Sequence, residues 1–257
     1  MAVNYEDPLG PKHEGWFAED KPVLQGTIKV VTYNINQGLE VDQAIEELQT
    51  YEVLQDPDIL LLQEMDEDGT QRVARALRHN YVYYPASVFH WTKRNFGNAI
   101  LTKWSLSDPG KVLLPYRGLL SQQLRIAVRA TVTIGDLRIA TYCVHTETYT
   151  LPSPHRKAQV AAIVDDIGNG NGHVIVGGDF NTVSNRSIKR MAGQFAEVDL
   201  VRATAGLGPT ISILGLQPVA LDHIFARGLT VLGAGKVDAI QASDHFPVWV
   251  ELGLAQE

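Results

Sequence analysis

Six apolar runs in this chain each border a polar group suited to acid–base or metal chemistry. The run at 27–33 ends in Asn34-Ile35-Asn36, and the run at 59–62 ends in Gln63-Glu64. The run through Thr141 ends in Val144-His145, and 174–176 leads into Gly177-Gly178-Asp179-Phe180-Asn181. Leu221 precedes Asp222-His223, and Ser243-Asp244-His245 precedes Phe246. Carboxylates and amide oxygens are hard ligands, suited to Mg2+ or Mn2+. Together with imidazoles they can position a water, neutralise phosphate charge and protonate or orient a leaving group, which are the tasks of phosphoester hydrolysis. Buried unpaired carboxylates are costly, so a bound cation is their natural counter-charge. Each residue alone also has an ordinary structural use. Asn34 and Asn36 can form a turn, Glu64 can be a strand-exit charge, and His145 a satisfied core histidine. Asp179 and Asn181 can make an Asx turn and a helix cap, Asp222 can bind backbone amides, and Asp244 can cap a turn. Six such groups, all at strand ends, are poorly explained that way.

Strands must carry these groups, and the patterning supplies many. Strands are expected at 27–33, 58–63, 81–85, 97–102, 111–114, 123–134, 137–145, 173–177, 221–226, 229–234 and 246–252. Gly135-Asp136 makes a hairpin turn between two of them. A helix follows the first strand, with Asp42 as its cap and Val41, Ile45 and Leu48 on one face. A short helix spans 70–79, burying Val73 and Leu77. Ser153-Pro154 opens another, with Ser153 as cap and proline at the first helical position; Val160, Ile163, Val164 and Ile167 form its buried face. A further short helix lies near 184–191. The GNGNG run at 168–172 precedes a strand, so it is no dinucleotide fingerprint. Many short strands with few helices imply an α/β fold in which two packed sheets have helices outside. Residues 1–26 read as an irregular lead-in and 27–257 as a single domain.

Composition narrows the classes further. The 257 residues are 45% hydrophobic, which excludes wholesale disorder. No stretch approaches the ~18 consecutive apolar residues of a membrane span. One cysteine, Cys143, permits no intrachain disulfide and fits a reducing compartment. Residues 1–26 lack the basic start and apolar run of a signal peptide. A cytoplasmic location is therefore the expectation, with secretion left open if a leader has been removed, and the expected state is a monomer. The 22 basic against 29 acidic residues leave a net charge of −7, which counts against a polynucleotide substrate unless a local basic patch exists.

The set YNINQG, LLQEMD, FGNAILTKW, VHTE with Arg156 and Gln159 downstream, GGDFNT, LDHIF and SDHFPV resembles the endonuclease/exonuclease/phosphatase superfamily, over about 27–251. The resemblance implies a four-layer α/β/β/α sandwich, two mixed sheets flanked by helices, with its site at one open edge. It implies Mg2+ or Mn2+ as cofactor, with Glu64 the principal ligand, Asn34 beside metal and phosphate, Asn36 at a further ligand position and Asp244 supporting the metal side. Asp179 would orient or deprotonate the attacking water, and Asn181 would donate to a phosphoryl oxygen. His245 would contact the scissile phosphate with Asp222 holding its ring, and His145 would be a second phosphate-contacting histidine. Asn98 would be a substrate-facing amide. His223, next to Asp222 on a strand, should point the other way and be structural.

Loops over the sandwich edge should choose the substrate. Residues 86–96 combine Phe89, Trp91 and Phe96 with Lys93 and Arg94, a mixture that either stacks a base and holds a phosphate or anchors its own loop. Tyr116 with Arg117, and Tyr149, lie in two more loops. Residues 203–220 carry no charge and suit either an apolar rim or, preferably, burial against the sheet. The segments Leu221-Asp222-His223 and Gln241-Ala242-Ser243 depart from the apurinic-endonuclease branch, and the extended charged segment of phosphoinositide phosphatases is absent. The expected activity is thus hydrolysis of a small or lipid-like phosphate ester by a phosphodiesterase or phosphatase. A DNA or RNA nuclease is the alternative, and a noncatalytic binding module ranks third because the polar set is complete.

Overall fold

A computed structural model describes residues 2–19, 23–24, 26–90, 92–148, 150–213, 216 and 219–254. In chain order the first elements are β1 (His13–Gly15), β2 (Thr27–Asn34), α1 (Val41–Thr50), β3 (Ile59–Met65), α2 (Glu67–Leu77), β4 (Asn80–Val88) and β5 (Asn95–Thr102). Then come β6 (Ser105–Leu113), β7 (Ile126–Ile134), β8 (Leu137–His145), α3 (Ser153–Ile167), β9 (His173–Asp179) and α4 (Asn185–Ala196). The last are β10 (Val201–Arg202), β11 (Asp222–Arg227), β12 (Leu229–Lys236) and β13 (Val248–Leu254).

Seven strands form one sheet in the order β1-β4-β5-β3-β2-β13-β12, and six form the other in the order β10-β11-β9-β8-β7-β6. Each sheet is mixed: β2 and β3 run parallel in the first and β8 and β9 in the second, among antiparallel neighbours. Three apolar clusters fill the three interfaces of four layers. Val30, Ile59, Leu61, Ile126, Cys143 and Ile175 meet between the sheets. Val31, Leu60 and Leu62 turn outward onto α1 and α2, and Val144, Val176 and Phe225 onto α3 and α4. Strand alternation thus explains why 59–62 is continuously apolar: both of its faces are covered.

Several local expectations shift. Asp42 does not cap α1; that helix starts after Glu40 with no side-chain cap, and Asp42 instead pairs with Arg72 of α2. The second helix begins at Glu67, three residues early, because Asp66 accepts a hydrogen bond from the Gly69 N–H at 2.8 Å and caps it. Ser153 is the first residue of α3 rather than its cap, a place taken by Pro152. The helix near 184–191 runs on to Ala196 with Ser184 as cap. The lead-in is not wholly irregular. His13–Gly15 pairs with Tyr81–Tyr83 of β4, and Asn4 bridges to Ser87. Lys111, buried between these layers, donates to the carbonyls of Tyr5, Gly10 and Pro85 and so fastens the segment. Burial lowers its pKa to about 8. Among the described residues no helix is long and apolar enough to cross a membrane.

One buried acid ties α1 to the loop before β13. Glu47 accepts from the Tyr33 hydroxyl at 2.9 Å and from the backbone N–H groups of Gln241 and Ala242 at 2.6 and 3.0 Å. Replacing it by alanine strands three donors, of which the Tyr33 hydroxyl and the Ala242 N–H are buried. Glu47→Ala should cost about 2–4 kcal/mol, read from denaturant unfolding, whereas Glu46→Ala on the same helix should change stability by no more than about 0.5 kcal/mol.

Candidate active site

Strand register brings the polar strand ends to one edge. Asn34 lies opposite Gln63 on parallel strands, and His145 lies opposite Asp179 on the other parallel pair. Asp222 opens antiparallel β11 opposite the end of β9, directly across from Asp179. β13 runs antiparallel to β2, so His245, just before it, arrives at the same edge. Asn34, His145, Asp179 and Asp222 share strand parity with Val30, Cys143, Ile175 and Ile224, which fill the seam between the sheets. The site is therefore the polar mouth of that seam. Glu64 has the opposite parity and reaches the mouth through a register shift between Leu62 and Met65 at which its own φ is +62°. Gly178 has φ +146°, and a Cβ there would lie 1.9 Å from the Val144 carbonyl oxygen, so only glycine lets β9 approach β8 this closely before Asp179.

The side chains form one hydrogen-bonded group. Asn34 Nδ2 donates to Glu64 Oε1 at 3.2 Å and to Asp179 Oδ2 at 3.1 Å. Glu64 Oε2 accepts the Gln37 N–H at 3.0 Å. Asp179 also accepts from the Asn181 N–H at 2.8 Å and from Asn181 Nδ2 at 3.2 Å. His245 Nδ1 is 2.9 Å from Asp222 Oδ2, which in turn accepts the Thr210 hydroxyl at 2.6 Å. The Nε2 atoms of His145 and His245 lie 3.5 and 3.8 Å from Asp179 Oδ2.

The environments of the two histidines separate their charge states. Burial disfavours a charged ring at His245, but the carboxylates of Asp222, Asp179 and Asp244 outweigh it and raise the pKa to about 10. His145 is held well below 6.5 by burial, by the Arg125 guanidinium and by charged His245. Asp179 is pushed up by burial and by the neighbouring charges of Asp222 and Glu64, against the opposing pull of His245. The mouth thus sets an imidazolium beside a neutral imidazole, with a reluctantly ionised carboxylate between them.

The structure assembles Asn34, Glu64, His145, Asp179, Asn181, Asp222 and His245. Asp244 sits at the rim, exposed, with its charge felt at His245. Asn36 takes part through its backbone, whose N–H donates to Asn34 Oδ1 at 3.1 Å. Asn181 Nδ2 donates to the Thr146 carbonyl and to Asp179. Asn98 is no open substrate contact. It is 1% exposed, and its Nδ2 donates to the Ile126 and Cys143 carbonyls, pinning one sheet to the other. Arg94 braces the loop after β2, bonding the Gln37 and Gly38 carbonyls and Asp66. Trp91 and Tyr149 lie outside the described residues. Phe89 stacks on Phe96, whose ring is 5.7 Å from His145, so this loop does anchor itself beside the site. The uncharged loop is divided: Thr204, Thr210 and Ile211 are buried, while Ile213 and Leu216 are exposed. His223 points away as expected, bonding Thr182 and packing near Phe180 and Phe225.

Two residues not singled out from the sequence belong here. Thr210 supports Asp222, and Arg125 places its Nη1 3.3 Å from both ring nitrogens of His145 while pairing with buried Glu147. Glu147 in VHTE was the available signal for a buried cationic partner.

A divalent cation fits this donor set. Glu64, Asp179, Asp222 and Asp244 face a single imidazolium, and among the described residues no lysine or arginine pairs with any of the four. Asp179, Asp222 and His245 offer ligand atoms within 4.8 Å of one another. Asp222 and His245, however, are already committed to their mutual hydrogen bond. Glu64 is the most accessible carboxylate of the bonded group, with Asn34 and Asp179 adjacent.

Residues 31–245 match the model of the Endonuclease/Exonuclease/phosphatase family, and the chain belongs to that family. A UPF0294 protein of Vibrio cholerae is 31% identical over 110 residues, covering 43% of this chain and 38% of the relative. One of Vibrio parahaemolyticus is 29% identical over 141 residues, covering 55% and 46%. The chain thus spans less than half the length of these relatives. Among solved structures, an endonuclease/exonuclease/phosphatase family protein from Bacteroides thetaiotaomicron superposes with TM-score 0.70 at 17% identity, covering 90% of this chain and 98% of that one. The human Nocturnin catalytic domain with bound sulfate superposes with TM-score 0.71 at 21% identity, covering 91% and 97%. These likenesses are of fold.

The opposed histidines give a checkable titration. In chelator-treated protein, nitrogen NMR of labelled histidine should show His245 still protonated above pH 6.5, losing its proton near 10, with His145 neutral at 6.5. Because its pKa is raised on folding, His245 should contribute stability that is fully present below about 6.5 and lost as the pH climbs through about 10.

Proposed function

We propose that this protein is a divalent-metal-dependent phosphoesterase that directs water onto phosphorus at the mouth of the seam. The observation that carries the reading is the bonded group itself: Glu64, Asn34 and Asp179 joined through one amide, with the Asp222–His245 pair and His145 within 4 Å of the same carboxylate.

In this reading Glu64 holds Mg2+ or Mn2+, with Asn34, Asn36 and Asp244 around it. When bound, the cation supplies counter-charge and Lewis-acid polarisation of the phosphoryl group. Asp179, steered by Asn34 and Asn181, orients the attacking water and accepts its proton; its raised pKa makes it a stronger base than an ordinary carboxylate. His245, charged and fixed by Asp222, donates from Nε2 to a phosphoryl oxygen that gains charge in the transition state. His145, kept neutral, offers Nε2 as a second hydrogen-bonding contact on the phosphate. Asn181 and Arg125 act through Asp179 and His145.

The favoured substrate is a small or lipid-like phosphate ester. Beyond the Phe89–Phe96 pair lies a cavity of about 650 Å3 lined by Val3, Val88, Phe89, Lys93, Leu120 and Gln123. It can receive an organic leaving group, and the net charge of −7 weighs against a long polyanion. Strand cleavage of DNA or RNA is the second reading, and a binding module without catalysis is disfavoured by the complete polar set.

The test is a panel with added Mg2+ or Mn2+: p-nitrophenyl phosphate, bis(p-nitrophenyl) phosphate, sphingomyelin, plasmid DNA and single-stranded RNA. Hydrolysis of one of the small or lipid esters should exceed that of nucleic acid and vanish on chelation. Glu64→Ala should lose the metal stimulation, and His245→Ala should lower turnover by about 10²–10⁴-fold with folding intact. Nicked plasmid absent in the Glu64→Ala control would favour the nuclease; no turnover of any substrate by folded, metal-loaded protein would remove the enzymatic reading.

A further inference from the structure

The start of α3 and the inner flank of α4 enclose a small cleft of about 30 Å3, open to solvent, lined by Thr146, Ser153, Arg156, Lys157, Ser187 and Arg190 among others. Three features set it apart from an ordinary polar surface. First, it gathers three cations, and among the described residues no carboxylate pairs with Arg156, Lys157 or Arg190. Burial, and after it the charge of Arg190, lower the pKa of Arg156. Second, the Thr146 hydroxyl is a buried polar atom with no hydrogen-bond partner, on a residue only 2% exposed that lines the cleft. A buried hydroxyl left unpaired costs about 1–3 kcal/mol, so it awaits an acceptor. Third, the cleft is coupled to the site. Arg156 Nη1 donates to the Asn181 carbonyl at 3.2 Å, and Asn181 Nδ2 donates to the Thr146 carbonyl at 3.0 Å, so one residue separates cleft from Asp179. Arg190 is held toward Ser153 by a 2.6 Å hydrogen bond.

Crowded unpaired cations, two serine hydroxyls and an orphan donor are chemistry for a phosphate dianion. We propose that this cleft is a second phosphate-binding subsite, which recognises a phosphoryl group other than the one being hydrolysed. The substrate would then be a phosphate ester that carries another phosphate nearby. The binding claim stands on the cleft itself, and only the substrate claim rests on the phosphoesterase reading above. That other phosphate could belong to a small bisphosphorylated molecule or to the next link of a nucleic acid strand, and both present the same group to Arg156, Lys157 and Arg190.

The binding test needs no turnover. Calorimetric titration of inorganic phosphate into metal-free protein should show binding that Lys157→Ala/Arg190→Ala weakens at least about tenfold, both residues being exposed and outside the catalytic group, while His245→Ala leaves it in place. Equal affinity in the native and doubly substituted proteins, or no binding by either, overturns the subsite whether or not the protein hydrolyses anything. The substrate test compares thymidine 5′-(p-nitrophenyl phosphate) with its 3′-phosphorylated form and with an oligothymidylate. The 3′-phosphate should lower KM about tenfold at unchanged kcat, and the double substitution should erase that gain without touching the unphosphorylated ester. A gain confined to the oligothymidylate would assign the second phosphate to a strand. A gain that survives the substitution, or none with either ligand, overturns the substrate claim. Loss of phosphate binding in the double variant with no ester cleaved would keep the subsite and remove the phosphoesterase reading.

Discussion

Asp179 carries a carboxylate out of water between two sheets, and the arrangement around it follows from that constraint. Removing such a group from solvent costs several kcal/mol after relaxation, and only well-placed donors or opposite charge offset it. Here the backbone and side chain of Asn181, the side chain of Asn34 and the imidazolium of His245 share the task. Each donor must itself be fixed. Asn34 is held by the Asn36 N–H, and His245 by Asp222, which leans on Thr210. Left-handed backbone occurs here, as at turns elsewhere in the chain, at Glu64 (φ +62°), Asn181 (φ +48°) and Asn36 (φ +31°). Strain of that kind persists where surrounding structure over-determines it and is a common mark of functional sites.

Most of this centre was legible because strand periodicity does the sorting. Val30, Thr32 and Asn34 fall on one face of β2, and Thr141, Cys143 and His145 on one face of β8. A polar residue that ends an apolar series of fixed parity must lie at the rim of whatever that series fills. The same rule turned His223 away while keeping Asp222. It could not foresee Glu64, whose parity is wrong, because a bulge corrects it and bulges leave little trace in residue type.

The remainder was hidden because the partners are backbone atoms far along the chain. Asn98 serves carbonyls 28 and 45 residues away, Arg94 serves carbonyls 56 and 57 away, and Glu47 receives N–H groups 194 and 195 away. Any residue type can present a carbonyl or an N–H, so no pairing signal exists in composition. Arg94 in its loop and Asn98 on β5 therefore give no sign in sequence of the bracing they do. The cap errors at Asp42 and Ser153 have a related origin, since neither residue occupies the half-helical position that capping requires.

The short β1 strand has a consequence for colloidal behaviour. It lies against β4, a nine-residue strand that is buried along nearly all its length and would otherwise end its sheet. A long apolar margin with unsatisfied amides is a template on which another molecule can add its own strand. Three residues, on a segment fastened by Lys111 through the Tyr5 and Gly10 carbonyls, cover part of that margin, and Ala2 and Val3 of the same segment wall the cavity.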